Sequence, residues 1–178
     1  MKYRWLLALM LTGVALTVSC ATLGIDTLEP VRIDYDSLEN PDAVYGKIRI
    51  LSAYKLNDVS VNGHAMVELS GLAWSEDEQL LYAVSDHGVV FHLKPELNDG
   101  RMTDVSVITA HPLKDINGKL YRYPWRDSEG LDVFNSNNHI AGDDELLVAF
   151  EIKPRLERFD NRGNLLGSVK LPKGIDHR

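Results

Sequence analysis

Three short segments of this 178-residue chain combine carboxylates with positively charged side chains. Carboxylate oxygens suit a hard divalent cation, and nearby basic side chains suit the phosphate or carboxyl group that such a cation would bridge. The residue types therefore indicate metal-assisted chemistry, provided that the fold brings the segments together. The segments are Asp86-His87-Gly88, Arg126-Asp127-Ser128-Glu129 and Glu151-Ile152-Lys153-Pro154-Arg155.

The same acids also have purely structural interpretations. Asp127 and Glu129 would accept hydrogen bonds from backbone N–H groups at the start of a strand, as acids in turns often do. Glu151 ends an apolar run, so a buried ion pair with Arg126 or Arg155 is an alternative to a metal or catalytic role.

His87 and a nearby aromatic group have ordinary explanations too. His87 precedes a glycine and is more typical of a turn residue than of a catalyst. Tyr121, Tyr123 and Trp125 are more typical of packing, or of a loop between repeats, than of a ligand platform.

Composition and motifs disfavour several other chemistries. Ser70 and Ser128 do not lie in the G-x-S-x-G turn of an α/β-hydrolase. A single cysteine excludes an internal disulfide framework and a multi-cysteine metal site. The net charge of −7 argues against a nucleic-acid partner, because non-specific binding to nucleic acid needs a basic surface.

Short apolar runs separated by turn residues must position these side chains. Beyond the N-terminal segment no long 3.6-residue periodicity is present, so the sequence predicts an all-β domain. Asn135–Asn138 is interpreted as the polar tip of a loop. The predicted strands are Lys47–Tyr54, Gly71–Trp74, Gln79–Ser85, Val89–Leu93, Val105–Ala110, Leu131–Phe134, Leu146–Glu151, Leu156–Asp160 and Leu165–Leu171.

The predicted strands repeat along the chain. Ser70–Trp74 matches Glu129–Val133 at an offset of 59, and Leu80–Ser85 matches Leu146–Glu151 at an offset of 66. A repeating group of four strands predicts a partial β-propeller, with about two blades and one preceding strand. In such blades the loop before the first strand and the loop after the second lie on one face. The charged segments should therefore share one rim.

Four motifs in this order resemble the phytase-like family, whose members are described as having esterase-like activity of phytase. The family pattern runs roughly S-G-L-A, Y-x-x-S-D-x-G, R-D-x-E-G-L and E-x-x-P-x-I-x-R-F-D. The resemblance covers residues 45–175 and implies an exported, propeller-like protein. The matching segments are Ser70–Trp74, Leu81–Gly88, Arg126–Leu131 and Glu151–Asp160.

The resemblance implies a metal-assisted phosphoesterase or esterase, with calcium as the candidate cation and a small phosphate or ester as the substrate. In this interpretation Glu129 and Glu151 are the catalytic residues. The implied metal ligands are Asp127, Glu129 and Glu151, and the implied substrate-binding residues are Arg126, Arg155, Asp86 and His87.

Two other functions stay open. The lack of a clear nucleophile–base pair favours a non-catalytic periplasmic scaffold that binds a protein or an envelope polymer. A lactonase like the gluconolactonase propellers would need acids and asparagines from several blades. Because a propeller needs about four blades to close, we expect a truncated or split copy of a longer protein, with catalysis absent or greatly weakened. Self-association of this chain into a closed ring is the alternative.

The N-terminal segment predicts export and lipidation. A basic start precedes a mostly apolar run that is too short for a comfortable membrane span. The run ends Leu16-Thr17-Val18-Ser19-Cys20, which resembles a bacterial lipobox, so Cys20 is the predicted lipidation site. An ordinary secretory signal is the alternative.

These features predict three regions, namely a signal peptide (1–19), a tether (20–44) and a phytase-like domain (45–178). Without the signal peptide, 17 basic residues face 26 acidic ones, a net charge of −9. Ala21 after the lipidated cysteine favours the outer membrane. The sequence thus predicts a protein anchored by lipid to the periplasmic face of that membrane in a bacterial cell envelope.

Overall fold

The computed structural model describes residues 31–32, 50–56 and 59–174. The predicted signal peptide, Cys20 and most of the predicted tether lie outside the described residues. Within the described residues the fold is all-β and contains no helix, which confirms the predicted class.

In the part of the chain that the structure describes, no helical segment has the length and apolar character of a membrane span.

The strands form two four-stranded antiparallel sheets and two short two-stranded pairs. The short pairs are β1 (Val31–Arg32) with β2 (Tyr54–Lys55), and β3 (Ser60–Val61) with β4 (His64–Ala65). The first sheet contains β5 (Leu69–Ser75), β6 (Leu80–Ser85), β7 (Val89–Asn98) and β8 (Arg101–Pro112). The second contains β9 (Ser128–Phe134), β10 (Glu145–Phe150), β11 (Arg155–Asp160) and β12 (Leu165–Val169). In both sheets sequential strands are neighbours, and we call them the first and second blades.

One face of the first blade is covered by the residues that precede it. Val59 and Met66, which flank the β3–β4 hairpin, are buried in one cluster with Phe91 and Leu93. Asn62-Gly63 makes the hairpin turn with φ of 52° and 78°, the geometry that favours these residue types. This hairpin was not predicted from the sequence.

The opposite face of the first blade packs against the second blade. Tyr82 and Val90 share one buried cluster with Phe159 of the second blade. The innermost strands β5 and β9 also approach closely, because a Cβ on Gly71 would lie 2.7 Å from the backbone nitrogen of Leu131. Two meanders packed through their inner strands are consistent with the predicted partial propeller.

The strand pairing corrects the predicted repeat by one residue. Leu72 pairs with Ala83 in the first blade, and its equivalent Leu131 pairs with Val148 in the second. The second strands are therefore offset by 65 residues, and the predicted offset of 66 is wrong for them. The extra residue lies in the following turn, which has three residues in the first blade and four in the second.

Each predicted blade strand is present, with differences in length. Strands β7 and β8 are longer than predicted because the two-residue turn Asp99-Gly100, with φ of 50° and 71°, continues their pairing to its end. The prediction for Lys47–Tyr54 is wrong over residues 50–53, which have no regular structure. Residues 47–49 of that predicted strand lie outside the described residues.

The long loop of the second blade lies against the first blade. The carbonyl of Ser136 accepts a hydrogen bond from the backbone N–H of Asp77 at 2.9 Å. The Asp77 carboxylate in turn accepts the backbone N–H groups of Asn138 and His139 at 2.7 and 3.1 Å. The polar loop tip is thus a contact between blades, at the end of the strands opposite the charged segments.

Candidate functional site

The charged segments meet at one rim, where the two blades join. Asp86 lies in the β6–β7 turn, while Asp127 precedes β9 and Glu129 lies at its start. The same backbone bond recurs in both blades: the N–H of Asp86 donates to Glu68, and the N–H of Glu151 donates to Asp127, both at 3.1 Å. Each turn is thereby held beside the start of the innermost strand.

Asp86, Asp127 and Glu129 form a cluster of three carboxylates. One oxygen of each lies within 4.8 Å of the others. Asp86 and Asp127 are half-buried, and Glu129 is exposed. Because the first blade supplies one acid and the second blade two, the cluster exists only where the blades are packed together. The group could hold a metal ion.

These three carboxylates accept no hydrogen bond from the other residues that the structure describes, unlike acids elsewhere in the chain. Asp115 accepts two backbone N–H groups of its own turn, and Asp160 does the same in the β11–β12 turn. The backbone-bonding interpretation of Asp127 and Glu129 is therefore not what the structure shows.

The crowding of negative charge affects the titration of Glu129. Partial desolvation, followed by repulsion from Asp86, Glu151 and Asp127, raises the pKa of Glu129 above its ordinary value. Glu151 thus adds to the negative field, although its carboxylate is not part of the three-carboxylate cluster. A cation bound here would offset this repulsion.

An open cleft of about 270 Å³ is lined by His87 and Arg126, the sequence neighbours of Asp86 and Asp127, but by none of the three carboxylates. His64, His87, Tyr121 and Arg126 contribute to its lining, and Nε2 of His87 lies 2.8 Å from a carboxylate oxygen of Glu68. Among the described residues Arg126 has no ion-pair or hydrogen-bond partner. With respect to these residues its guanidinium is unpaired, and an arginine guanidinium is well suited to an anionic group.

Arg155, unlike Arg126, is held by contacts with other described residues. Its Nε lies 3.1 Å from a Glu157 oxygen, and its guanidinium carbon lies 3.7 Å from the centre of the Phe150 ring. The guanidinium also donates to the backbone carbonyl of Trp125. Arg155 pairs with Glu157 rather than Glu151, so the geometry gives it a structural role. Its predicted role in substrate binding stays a prediction.

The aromatic residues before Arg126 separate into packed and exposed ones. Tyr121 packs edge-on against Phe150 and donates its hydroxyl hydrogen to Glu157 at 2.9 Å. Tyr123 and Trp125 are exposed. The packing interpretation therefore holds for Tyr121.

Ser70 and Ser128 make hydrogen bonds between the two blades. Ser128 is fully buried, and its hydroxyl donates to the carbonyl of Ser85 at 2.6 Å. The hydroxyl of Ser70 donates to the carbonyl of Ser128. Since both hydrogens are used in backbone contacts, neither hydroxyl is placed as a nucleophile.

Asp86 was predicted to bind substrate, whereas its carboxylate lies with those of Asp127 and Glu129. His64, which enters the cleft from the β3–β4 hairpin, was not predicted from the sequence. The dipeptide Asn62-Gly63 was the available signal for that hairpin.

The fold and site define an all-β protein of two propeller-type blades with a carboxylate cluster at their junction. A family model described as "Phytase-like: Esterase-like activity of phytase" matches residues 64–178, which include both blades and the whole cluster. The chain therefore belongs to the phytase-like family. No curated protein and no solved structure matches it.

Proposed function

We propose that this protein is a metal-assisted phosphoesterase or esterase, and that Asp86, Asp127 and Glu129 hold its cation. The main support is the set of three carboxylates within 4.8 Å of one another that no described residue bonds. Calcium is the candidate cation because it takes about 6–8 oxygen ligands in a flexible geometry. Three carboxylates would leave positions for water and for a substrate oxygen.

The cleft residues supply the other functions in this proposal. Arg126 binds the phosphate or carboxyl group, and His87, oriented by Glu68, transfers a proton to or from the reacting group. The cation, when bound, would polarise the phosphoryl or carbonyl oxygen. Because Ser70 and Ser128 are engaged in backbone contacts, the nucleophile in this proposal is water. Glu151 increases the negative potential of the site.

Calcium is expected to stabilise the folded chain, by about 2.7 kcal/mol at a hundredfold excess over Kd. Asp127→Asn removes one ligand charge and should abolish most of this gain. Glu96→Gln, which changes an exposed acid distant from the cluster in sequence and on another strand, should keep it. Thermal unfolding with calcium and with a chelator measures the effect. An equal gain in wild type and Asp127→Asn would contradict the proposed site.

The stabilisation by calcium should also depend on pH. A protonated carboxylate does not ligate, so the calcium-dependent gain should shrink as the pH falls toward the raised pKa of Glu129. Without metal, the raised pKa gives the folded state a contribution to stability that is lost as the pH rises through that pKa. Glu129→Gln should remove the metal-free effect and weaken the calcium-dependent gain, to which Asp86 and Asp127 still contribute. A calcium gain that is constant across the carboxylate range would count against Glu129 as a ligand.

Turnover distinguishes the enzyme from the scaffold. The full chain is assayed on p-nitrophenyl phosphate and p-nitrophenyl acetate, with calcium and with chelator. Activity that is lost in Asp127→Asn and kept in Glu96→Gln supports the enzyme. Calcium binding without turnover of either ester favours the alternative, a non-catalytic scaffold that displays this rim to a protein or an envelope polymer. The engaged hydroxyls of Ser70 and Ser128 are the observation behind that alternative.

We also propose that the protein is lipid-anchored at the periplasmic face of the outer membrane. The support is the lipobox-like segment that ends at Cys20 and the alanine that follows it. Cys20→Ala should move the protein from the membrane fraction to the soluble periplasmic fraction. If wild type and variant were found in the same cell fraction, the result would contradict this proposal.

A further inference from the structure

A second open cleft lies along the segment that connects the two blades. It shares Leu120 and Tyr121 with the cleft lined by His87 and Arg126, which we call the first cleft, so the two are neighbours. The volume of the second cleft is about 260 Å³. That is just below the roughly 300–1,000 Å³ of sites for drug-sized ligands, and it suits a single ring with substituents. The lining residues are Asp115, Lys119, Leu120, Tyr121, Arg122 and Trp125.

The shape of the second cleft is fixed by hydrogen bonds within the connecting segment. The Asp115 carboxylate accepts the backbone N–H groups of Asn117 and Lys119, both at 2.9 Å. The backbone N–H of Trp125 donates to the carbonyl of Arg122 at 2.7 Å. Walls that are ordered in advance lose little conformational freedom when a ligand binds.

The Trp125 ring gives the second cleft an apolar surface beside positive charge. The side chain is 51% exposed, and the ring centre lies 5.6 Å from Nζ of Lys153 and 5.6 Å from the guanidinium carbon of Arg155. Because two cations of the protein already interact with this ring, a cationic ligand is disfavoured. A flat ring with a negative charge can pack against Trp125 and is attracted by the same two cations.

The side chains at the edge of the second cleft also favour an anion. Within the part of the chain that the structure describes, Lys119 and Arg122 have no ion-pair or hydrogen-bond partner for their side chains. Asp115 is the only carboxylate among the lining residues, and its own turn engages it. The chain as a whole has a net charge of −7, so this local excess of unpaired cations opposes the overall balance. A guanidinium matches the geometry of a carboxylate.

We propose that the second cleft binds a flat apolar ring that carries its own negative charge, such as an aromatic carboxylate. In the ester substrate this ring is the leaving half, and the ester phosphate lies at Arg126 in the first cleft. This role in the substrate rests on the proposed function, whereas the binding site itself does not. Water adds to phosphorus, the bond from phosphorus to the aryl oxygen breaks, and the proton released by the water goes to that oxygen. The products are inorganic phosphate and a hydroxyaryl carboxylate.

Benzoate is the probe for the binding site, with a chelator present so that no cation at the carboxylate cluster contributes. Ligand-detected NMR on the full chain measures weak affinities. Benzoate should bind more tightly than benzamide, which has the ring without the charge, and more tightly than acetate, which has the charge without the ring. Arg122→Gln should weaken benzoate binding about tenfold, as expected for the loss of one charge-assisted hydrogen bond. Trp125→Leu should also weaken it.

Two matched variants make the binding test specific. Arg162→Gln removes an exposed guanidinium outside both clefts, and Tyr123→Leu removes an exposed ring that lines neither cleft. Both should bind benzoate as the wild type does. An equal loss in Tyr123→Leu and Trp125→Leu would indicate adhesion to any exposed apolar surface and overturn the proposal. Equal affinities for benzoate and benzamide would also overturn it, as would a loss that follows Arg126→Gln instead of Arg122→Gln.

Turnover tests the role in the substrate separately. With calcium, kcat/KM for p-carboxyphenyl phosphate should exceed that for phenyl phosphate about tenfold. The ratio should fall to near one in Arg122→Gln and persist in Arg162→Gln. Equal kcat/KM for the two esters in the wild type would overturn this role. Turnover of neither ester would contradict the proposed function, and the benzoate measurements would still decide the second cleft.

Discussion

Gly71→Ala is expected to destabilise the protein by about 3 kcal/mol, at the upper end of the usual cost of overpacking. The new methyl carbon would lie 2.7 Å from the backbone nitrogen of Leu131 and 2.9 Å from its Cβ. Backbone atoms cannot rotate away as the end of a flexible side chain can. The two blades must therefore separate at their inner strands, and the buried cluster around Tyr82 must loosen with them.

Gly130→Ala is the matched control. The equivalent methyl on the second blade would make one ordinary contact, 3.5 Å from the Cβ of Ala149. Where the backbone permits alanine, such a change stabilises by about 0.4–1 kcal/mol through the unfolded chain. Urea unfolding of both variants measures the difference. Equal free energies of unfolding would show that the inner strands are not held as closely as described.

The same variant also tests the candidate metal centre. Asp86 belongs to the first blade, and Asp127 and Glu129 belong to the second, so a shift between the blades separates the carboxylates. Gly71→Ala should therefore weaken calcium binding even at temperatures where the chain is folded. Gly130→Ala should bind calcium as the parent does.

Arg155→Met is expected to cost about 3 kcal/mol, because removing one member of a buried ion pair leaves an uncompensated charge. The side chains of Arg155 and Glu157 are only 16% and 10% exposed. The double variant Arg155→Met with Glu157→Gln should recover much of the loss, since glutamine can still accept the hydroxyl hydrogen of Tyr121.

Arg158→Met provides the comparison. Arg158 pairs with Glu145, but its side chain is 46% exposed, and such surface pairs contribute about 0–1 kcal/mol. Urea unfolding of the two single variants should separate them clearly. A cost for Arg155→Met as small as that for Arg158→Met would return Arg155 to the candidate substrate-binding residues.

The blade strands could be predicted because apolar residues alternate within them and turn-forming residues lie at nearly all of their ends. The register between the repeats could not, because it depends on a turn of three residues in one blade and four in the other. The longer turn begins with Glu151 and the shorter with Asp86, and apolar patterning alone does not distinguish the two lengths. Only the pairing of Leu72 and Leu131 with their partners resolves the offset.

The rim could also be predicted, but the role of each charged residue could not. Asp86 belongs to the three-carboxylate cluster because the two blades pack together beside it, and no local sequence pattern indicates that packing. Arg155 offered a local signal: it lies two residues before Glu157 on one strand, so both side chains share a face. Opposite charges at that spacing favour an ion pair within the strand over a free arginine.

Asp77 contacts the long loop of the second blade chiefly through backbone N–H groups, and one ring nitrogen of His139 also lies 3.9 Å from its carboxylate. The bonded groups are the N–H groups of Asn138 and His139, while the side chain of Asn137 between Ser136 and these residues is exposed. Side chains at that position can change without altering the contact. With the single cysteine of the chain at Cys20, Asn137→Cys would be a suitable position for a fluorescent or spin label that reports on the junction from its far end.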